Sequence, residues 1–170
     1  IRIICGELNR ISSHLLWLGT FVLDLGGFTP FLYGFDDREK ILDILDSITG
    51  SRLTYCYGRF GGVTMDVDGE FLRRTSDFCD YFKRRLGEFD ELVTDNVIYQ
   101  QRTKDVGVIS SDLIQDYALS GPVLRAAGVA HDVRKTEPYG GYDRFDFDVP
   151  VGQRGGDCFD RHTVRMEEMR

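Results

Sequence analysis

Three residues near the start of the chain have the types that proton chemistry beside an apolar molecule would use. Leu16, Thr20 and Asp24 stand four residues apart, so each lies one helical turn from the next and all three share a face. A carboxylate can hold or orient a proton, and a hydroxyl can bridge it to a partner. The ordinary reading of a helix-end Asp is that it reaches water or a nearby Arg, because a buried ionised acid must be paired or neutralised. The company of Thr20, Leu16 and the following Gly26-Gly27 points instead to an acid and a hydroxyl presented to a cavity with otherwise apolar walls. Asp24 is therefore the candidate catalytic residue. A second feature is Arg59-Phe60-Gly61-Gly62, whose paired glycines demand a tight turn or a close backbone approach.

The element that must position Asp24 is Ile3 to Leu25. Ile4, Leu8, Ile11, Leu15, Leu18, Val22 and Leu25 recur at steps of three and four, the spacing of one helical face, on a rod about 34 Å long. The opposite side gathers Gly6, Arg10, Ser13, Trp17, Thr20 and Asp24, with Glu7 and His14 at its edge. Gly26-Gly27 stops this helix, and FTPFLYGF reads as an apolar connector. Asp36 with Glu39 forms a capping box that opens a second helix, DREKILDILDSIT, closed by Gly50. The stretch from Ser51 to Gly69 reads as a distorted helix end running into a short extended segment. From Glu70 to Asp95, Phe71, Thr75, Phe78, Phe82, Leu86, Phe89 and Val93 mark a long amphipathic helix ending near Asn96. Short helices are expected at Ile98–Arg102 and Ser111–Ala118, the latter broken by Gly121-Pro122. The stretch from His131 to Phe159 alternates like a strand, yet its prolines and glycines favour a long ordered loop.

Composition excludes several classes. A net charge of −7 argues against a nucleic-acid surface. The uncharged run within the first helix, Ile11 to Leu23, contains Ser12, Ser13 and His14 and is too short and polar to span a bilayer. Cys5, Cys56, Cys79 and Cys158 form no C-x-x-C and stand at no zinc spacing, so four reduced and mostly buried thiols are expected, and no metal. No G-x-G-x-x-G follows a strand, so no nicotinamide site is expected. His14 reads as a core residue, His131 as incidental and His162 as surface. Arg134 and Lys135 read either as contacts to a partner or as solvated charges. No linker divides the chain. Because it opens on Ile1 and ends inside a helical pattern, 1–170 is expected to be a single internal piece of a larger helical domain.

The blocks GELNRISSHLLWLGTFVLDLGGFTPFLYGFDDREKILD, RFGGVTMDV, RTKDVGV, SGPVLRAAGV and DVRKTEPY…DFDVPVGQRGGDC…RMEEMR occur in that order. Together they resemble the D subunit of respiratory NADH:quinone oxidoreductase, the 49-kilodalton subunit family of complex I, over nearly the whole chain. The resemblance implies a mainly α fold, a multihelical bundle of long antiparallel helices with a long irregular C-terminal loop. That fold is related to the [NiFe]-hydrogenase large subunit but lacks its metal ligands. It implies no cofactor on this chain, quinone as substrate, and a neighbour that carries the terminal iron–sulfur cluster and shares the quinone cavity. The C subunit and a membrane subunit at the cavity would be further partners. The implied location is peripheral, on the cytoplasmic side of the inner membrane or on the matrix side in a mitochondrion. By position, Asp24 matches the aspartate of the family's LD-[IL]-G motif in the quinone headgroup pocket, and Leu16 and Thr20 match pocket-wall positions. Arg59, Gly61 and Gly62 match the R-x-G-G turn that in the family lies close to the cluster-bearing neighbour.

The chain also departs from the family pattern. The family's quinone-gripping His and Tyr and its H-R-G-x-E-K block would precede Ile1. Thr54 stands where mitochondrial relatives have a titrating His, so that role does not transfer. Gly155-Gly156 has one glycine more than the usual RGDC. The alternatives are a hydrogenase-type large subunit, which needs two C-x-x-C pairs, and, for the piece alone, a non-catalytic helical scaffold.

Overall fold

A computed structural model describes the backbone of residues 1–170 and every side chain except those of Ser111 and Gln115. The chain is mainly helical and divides into two compact units, Ile1–Phe89 and Asp90–Arg170.

The first unit is built on a helical hairpin. Helix α1 (Arg2–Asp24) buries Cys5, Leu8, Ser12, Leu15, Leu18 and Val22, largely the stripe read from the sequence, and His14 is buried beside it. The chain turns back at Gly26, whose φ of +93° suits glycine, and at Gly27, where a Cβ would stand 2.6 Å from Val22 Cγ1. Helix α2 (Phe28–Thr49) then runs back along α1. Two glycines let the rods approach closely. A Cβ on Gly19 would lie 3.3 Å from Phe31 Cα, and one on Gly34 would lie 3.3 Å from the Leu15 carbonyl oxygen. Because Gly19 meets Phe31 while Leu15 meets Gly34, the pair is antiparallel.

The expected connector is thus the first two turns of α2. Phe31 packs on Gly19 of α1 and meets the Phe35 ring at 4.4 Å, so contact with α1 overrides the local preference of the glycine and the proline. Pro30 is tolerated because first-turn amides have no helical acceptor to lose. Asp36 is consequently no N-cap; it lies mid-helix and pairs with Lys40. Gly50 does end the helix, with a left-handed φ of +69°.

Helix α3 (Gly69–Phe89) buries Phe71, Phe78, Phe82, Leu86 and Phe89 and packs on α2. One polar cluster ties the two helices. The fully buried Asp37 accepts from the Tyr81 hydroxyl at 2.6 Å and from Arg85 Nε at 3.0 Å. Arg85 also lies over the rings of Tyr33 and Phe89. Between α2 and α3, strands β1 (Gly58–Arg59) and β2 (Gly62–Val63) form a minimal antiparallel hairpin.

The second unit opens with a π-helical turn, Asp90–Thr94, so the long helix read from the sequence changes its winding before Asn96. Asn96 instead caps helix α4 (Val97–Thr103), accepting from Ile98 N and Tyr99 N. Helix α5 (Ser111–Asp116) follows, and Gly121-Pro122 starts rather than merely ends a helix, α6 (Gly121–Ala126), because proline suits a first turn. Helix α7 (Val133–Thr136) and a 3-10 turn at Tyr142–Arg144 precede an irregular run to Asp157, and helix α8 (Cys158–Glu168) follows.

Two buried acids at the start of α8 hold that irregular run. Asp157 caps α8 through Asp160 N at 2.7 Å and takes the Asp105 amide at 2.8 Å. Asp160 accepts from the amides of Gln153, Arg154 and Gly156. The additional glycine fits here: Gly155 and Gly156 have φ of +91° and +84°, and a Cβ on Gly156 would lie 2.8 Å from the Ile109 carbonyl oxygen. Arg125 of α6, itself buried, reaches Glu168 at 2.6 Å and the His131 carbonyl at 3.0 Å.

Two sequence expectations need correction. His162 is not a surface residue. It is fully buried because α8 is covered on more than one side: Met166 shares its face, and Asp160 and Val164 are buried on the other. The thiols are not mostly buried either: Cys5 is, Cys158 is half-buried, and Cys56 and Cys79 are exposed.

Burial, aided by Arg165, holds the His162 pKa down at about 4, against the opposing pull of Asp90. Thr94 donates to Asp90 at 3.0 Å, so its oxygen accepts the Nε2 proton of a neutral His162 at 2.9 Å.

These buried groups set two expectations for stability. Asp37→Ala strands Arg85 and Tyr81 and should lower stability by about 3 kcal/mol, with Asp37→Asn losing less; an unchanged urea midpoint would refute the tie. The depressed His162 pKa means that the unfolded chain takes up a proton below about 6.5 while the folded chain resists until about 4. Stability should therefore fall across that window as pH drops, by up to about 3 kcal/mol. His162→Phe should flatten that slope in urea titrations. Asp132 acts elsewhere: against the upward push of burial, Arg134 and Arg125 hold its pKa at about 2, so its contribution is lost only at lower pH.

Candidate functional site

The faces of α1 are divided by its packing on α2. With Leu8, Ser12, Leu15, Leu18 and Val22 turned inward, the residues left outside include Asn9, Ser13, Leu16, Thr20, Leu23 and Asp24. Leu16 is 39 % exposed, and Thr20 and Asp24 are exposed above it. The three sequence candidates thus share one outward strip. They do not face the hairpin interior.

Thr20 spends its hydroxyl proton on the helix, donating to the Leu16 carbonyl at 2.9 Å and approaching that of Trp17 at 3.2 Å. Its oxygen keeps a lone pair toward solvent. Asp24 closes the helix, where the carbonyl ends already concentrate negative charge, an unfavourable place for a carboxylate. Among the described residues no cation or hydrogen-bond donor engages its side chain. Asp37, Asp157 and Asp160 all have donors; Asp24 is left open to whatever approaches.

The second candidate feature is the β-hairpin. Arg59 pairs with Gly62 and Gly58 with Val63, which leaves Phe60-Gly61 as a two-residue turn. Gly61 supplies the positive φ, +81°, that the second position of a type II turn requires. Arg59 Nη1 reaches back to Cys56 Sγ at 2.8 Å, and Tyr57 anchors the base through the Met65 carbonyl at 2.7 Å. The outcome is a tight turn that holds Phe60 fully out in solvent. Sequence reasoning marked the arginine and the glycines but overlooked Phe60. The signal was available, because a two-residue turn must point its first side chain away from the ladder.

Two concavities in the first unit lie away from Asp24. One, of about 310 Å³, is bounded by Lys40 and Ile44 of α2 and by Arg73, Asp77 and Tyr81 of α3. The other, of about 260 Å³, lies between α1, α2 and residues 53–55 and includes Ser12, Arg38 and Thr54. Among the described residues, no group of three His, Cys, Asp or Glu is arranged to hold a metal ion. No helix among them is long and apolar enough to cross a membrane. In the second unit Arg134 is committed to Asp132 at 2.6 Å and lies 4.5 Å from the Phe147 ring centre, while Lys135 is 4.0 Å from Asp146.

Comparison with known proteins agrees with the order of these motifs. Over 169 residues the chain is 57 % identical to the NADH-quinone oxidoreductase D subunit of Syntrophobacter fumaroxidans, covering 99 % of this chain and 45 % of that protein. It is 54 % identical to the D subunit of Desulfotalea psychrophila, with the same coverage. It is also 49 % identical, over its full length, to the first of two C/D subunits of the NADH-quinone oxidoreductase of Aquifex aeolicus, of which it covers 28 %. The chain thus spans less than half the length of these curated relatives. Residues 24–170 match the family described as respiratory-chain NADH dehydrogenase, 49 Kd subunit, and with that match the chain belongs to this complex I subunit family.

Proposed function

We propose that the parent of this chain is a core subunit of a proton-translocating NADH:quinone oxidoreductase. In this reading residues 1–170 supply the α1 wall of its quinone cavity, next to the terminal iron–sulfur cluster of a neighbouring subunit. One observation carries the reading: Leu16, Thr20 and Asp24 form a continuous outward strip that ends in an acid no cation among the described residues neutralises. An unpaired carboxylate at the negative end of a helix costs stability, about 0.3–1 kcal/mol at a surface, and gains a use only when a donor meets it.

The chemistry follows from what each side chain can do. An ionised carboxylate only accepts hydrogen bonds, so Asp24 holds a proton-bearing group supplied by another part of the parent and fixes where its proton lies. Thr20, its own proton committed to α1, offers a second acceptor one turn away. Leu16 contributes apolar contact and keeps water out. Quinone is the substrate; its electrons come from the neighbour's cluster, and this chain's part is to position protons for the reduced oxygens.

The Arg59-to-Gly62 turn, with Phe60 projecting, is the surface we assign to the cluster-bearing neighbour. Relatives named as C/D subunits support the C subunit as another partner. A peripheral place on the cytoplasmic or matrix face, with a membrane subunit that completes the cavity, is consistent with there being no helix among the described residues long and apolar enough to cross a membrane. The same reading takes 1–170 as one piece of a hydrogenase-like domain of long antiparallel helices.

In the assembled enzyme Asp24→Asn should slow quinone reduction at least about tenfold. NADH oxidation by ferricyanide should stay at the wild-type rate. Wild-type quinone turnover in that variant would reject the assignment.

A further inference from the structure

The pocket between α1, α2 and residues 53–55 carries a charge that the described residues do not balance. Arg38 reaches into its lining from α2, and no acidic residue lines it. The Arg38 Nε is buried without a hydrogen-bond partner, and its one described interaction is with the Phe35 ring, 5.9 Å from the guanidinium carbon. The acids around it in sequence are already taken. Asp36 pairs with Lys40, Asp37 with Arg85, and Glu39 with Arg52. A guanidinium left beside three acids yet paired with none is unusual, because a buried charged donor without an acceptor is costly.

The rest of the lining is made of donors and apolar surface. Asn9 accepts the Tyr55 hydroxyl through Oδ1 at 3.1 Å, which frees its amide N–H groups to donate. Ser12 adds a buried hydroxyl. Thr54, a β-branched residue, is held at a φ of +55°, a conformation such residues rarely adopt. At the rim, Leu53 is 52 % exposed. A pocket with a cation and neutral donors inside and an apolar lip fits an acid borne by a protein better than a free ion. The end of the Arg38 guanidinium, its two Nη groups, matches the two oxygens of a carboxylate.

We propose that this pocket receives an Asp or Glu side chain from the neighbouring subunit that covers the Arg59-to-Gly62 turn. The inference rests on the reading of that turn as a contact between subunits, since residues 53–55 lead directly into it. The acid engages the Nη groups of Arg38 end-on and takes further hydrogen bonds from Asn9 and Ser12, and apolar residues beside it cover Leu53.

The test uses the full-length protein within the assembled oxidoreductase. Arg38→Glu should reduce the fraction of it recovered in the complex at least about tenfold, while Arg38→Lys stays closest to wild type. Circular dichroism and Tm of the free full-length variants separate assembly from folding. A benzophenone amino acid placed at Leu53 should cross-link, in the complex, to a peptide of a neighbouring subunit that contains Asp or Glu. Wild-type recovery of Arg38→Glu overturns the inference, as does a cross-link confined to the protein's own chain. Equal losses in Arg38→Lys and Arg38→Glu with a lowered Tm would mean a packing role and overturn it too. Failure of the wild-type protein to enter any quinone reductase would instead undo the underlying functional reading.

Discussion

The close approach of α1 to α2 at Gly19 and Gly34 is the constraint on which the first unit depends. Where two helices meet backbone to backbone, the contacting faces are set by which positions have no side chain to hold them apart. Phe31 settling on Gly19 and the Leu15 carbonyl facing Gly34 fix the rotation of α1 about its own axis. Once that rotation is fixed, Leu16, Thr20 and Asp24 must lie outside, and Asn9 with Ser12 must border the groove that ends at Arg38. A bulky side chain at either glycine would push the rods apart and turn the strip.

Carboxylates serve two purposes in the chain. Asp37, Asp157 and Asp160 are fasteners. Each is buried, and each accepts from several donors that would otherwise be unsatisfied: a tyrosine and an arginine for Asp37, backbone amides for the other two. Such groups hold elements that apolar packing alone would leave loose, and in the second unit they order a run of residues with no regular structure. Asp24 is different in kind. It sits where the helix already carries negative charge, and the described residues offer it no donor. Arg38 is its cationic counterpart, flanked in sequence by acids that pair elsewhere. In the functional reading proposed above, both residues meet another polypeptide or a substrate.

The long helices were legible because period is a local property. The stripe from Leu8 to Val22 and the run of phenylalanines from Phe71 to Phe89 each repeat often enough to state an inward face. Gly50 as a stop and Gly61 as a turn were legible for the same reason, since a positive φ is a demand one residue makes on its own. The family, too, could be read from the order of short blocks. By contrast, FTPFLYGF looked like a connector because its glycine and proline disfavour helix locally. Packing of Phe31 on Gly19 decided otherwise, and no local rule contains that partner.

By itself, then, the sequence determined the helical class, the long inward faces, the obligatory glycine turns and the kinship. Only the tertiary structure decided that Asp37 would be a buried fastener, that His162 would be sealed beside Thr94, that Phe60 would project, and that the acids flanking Arg38 in sequence would pair elsewhere. The physical reason is distance along the chain. Asp37 finds Arg85, and His162 finds Thr94, across separations that periodicity does not report. The fate of a charged side chain depends on which partners the packing of apolar faces brings within reach in three dimensions.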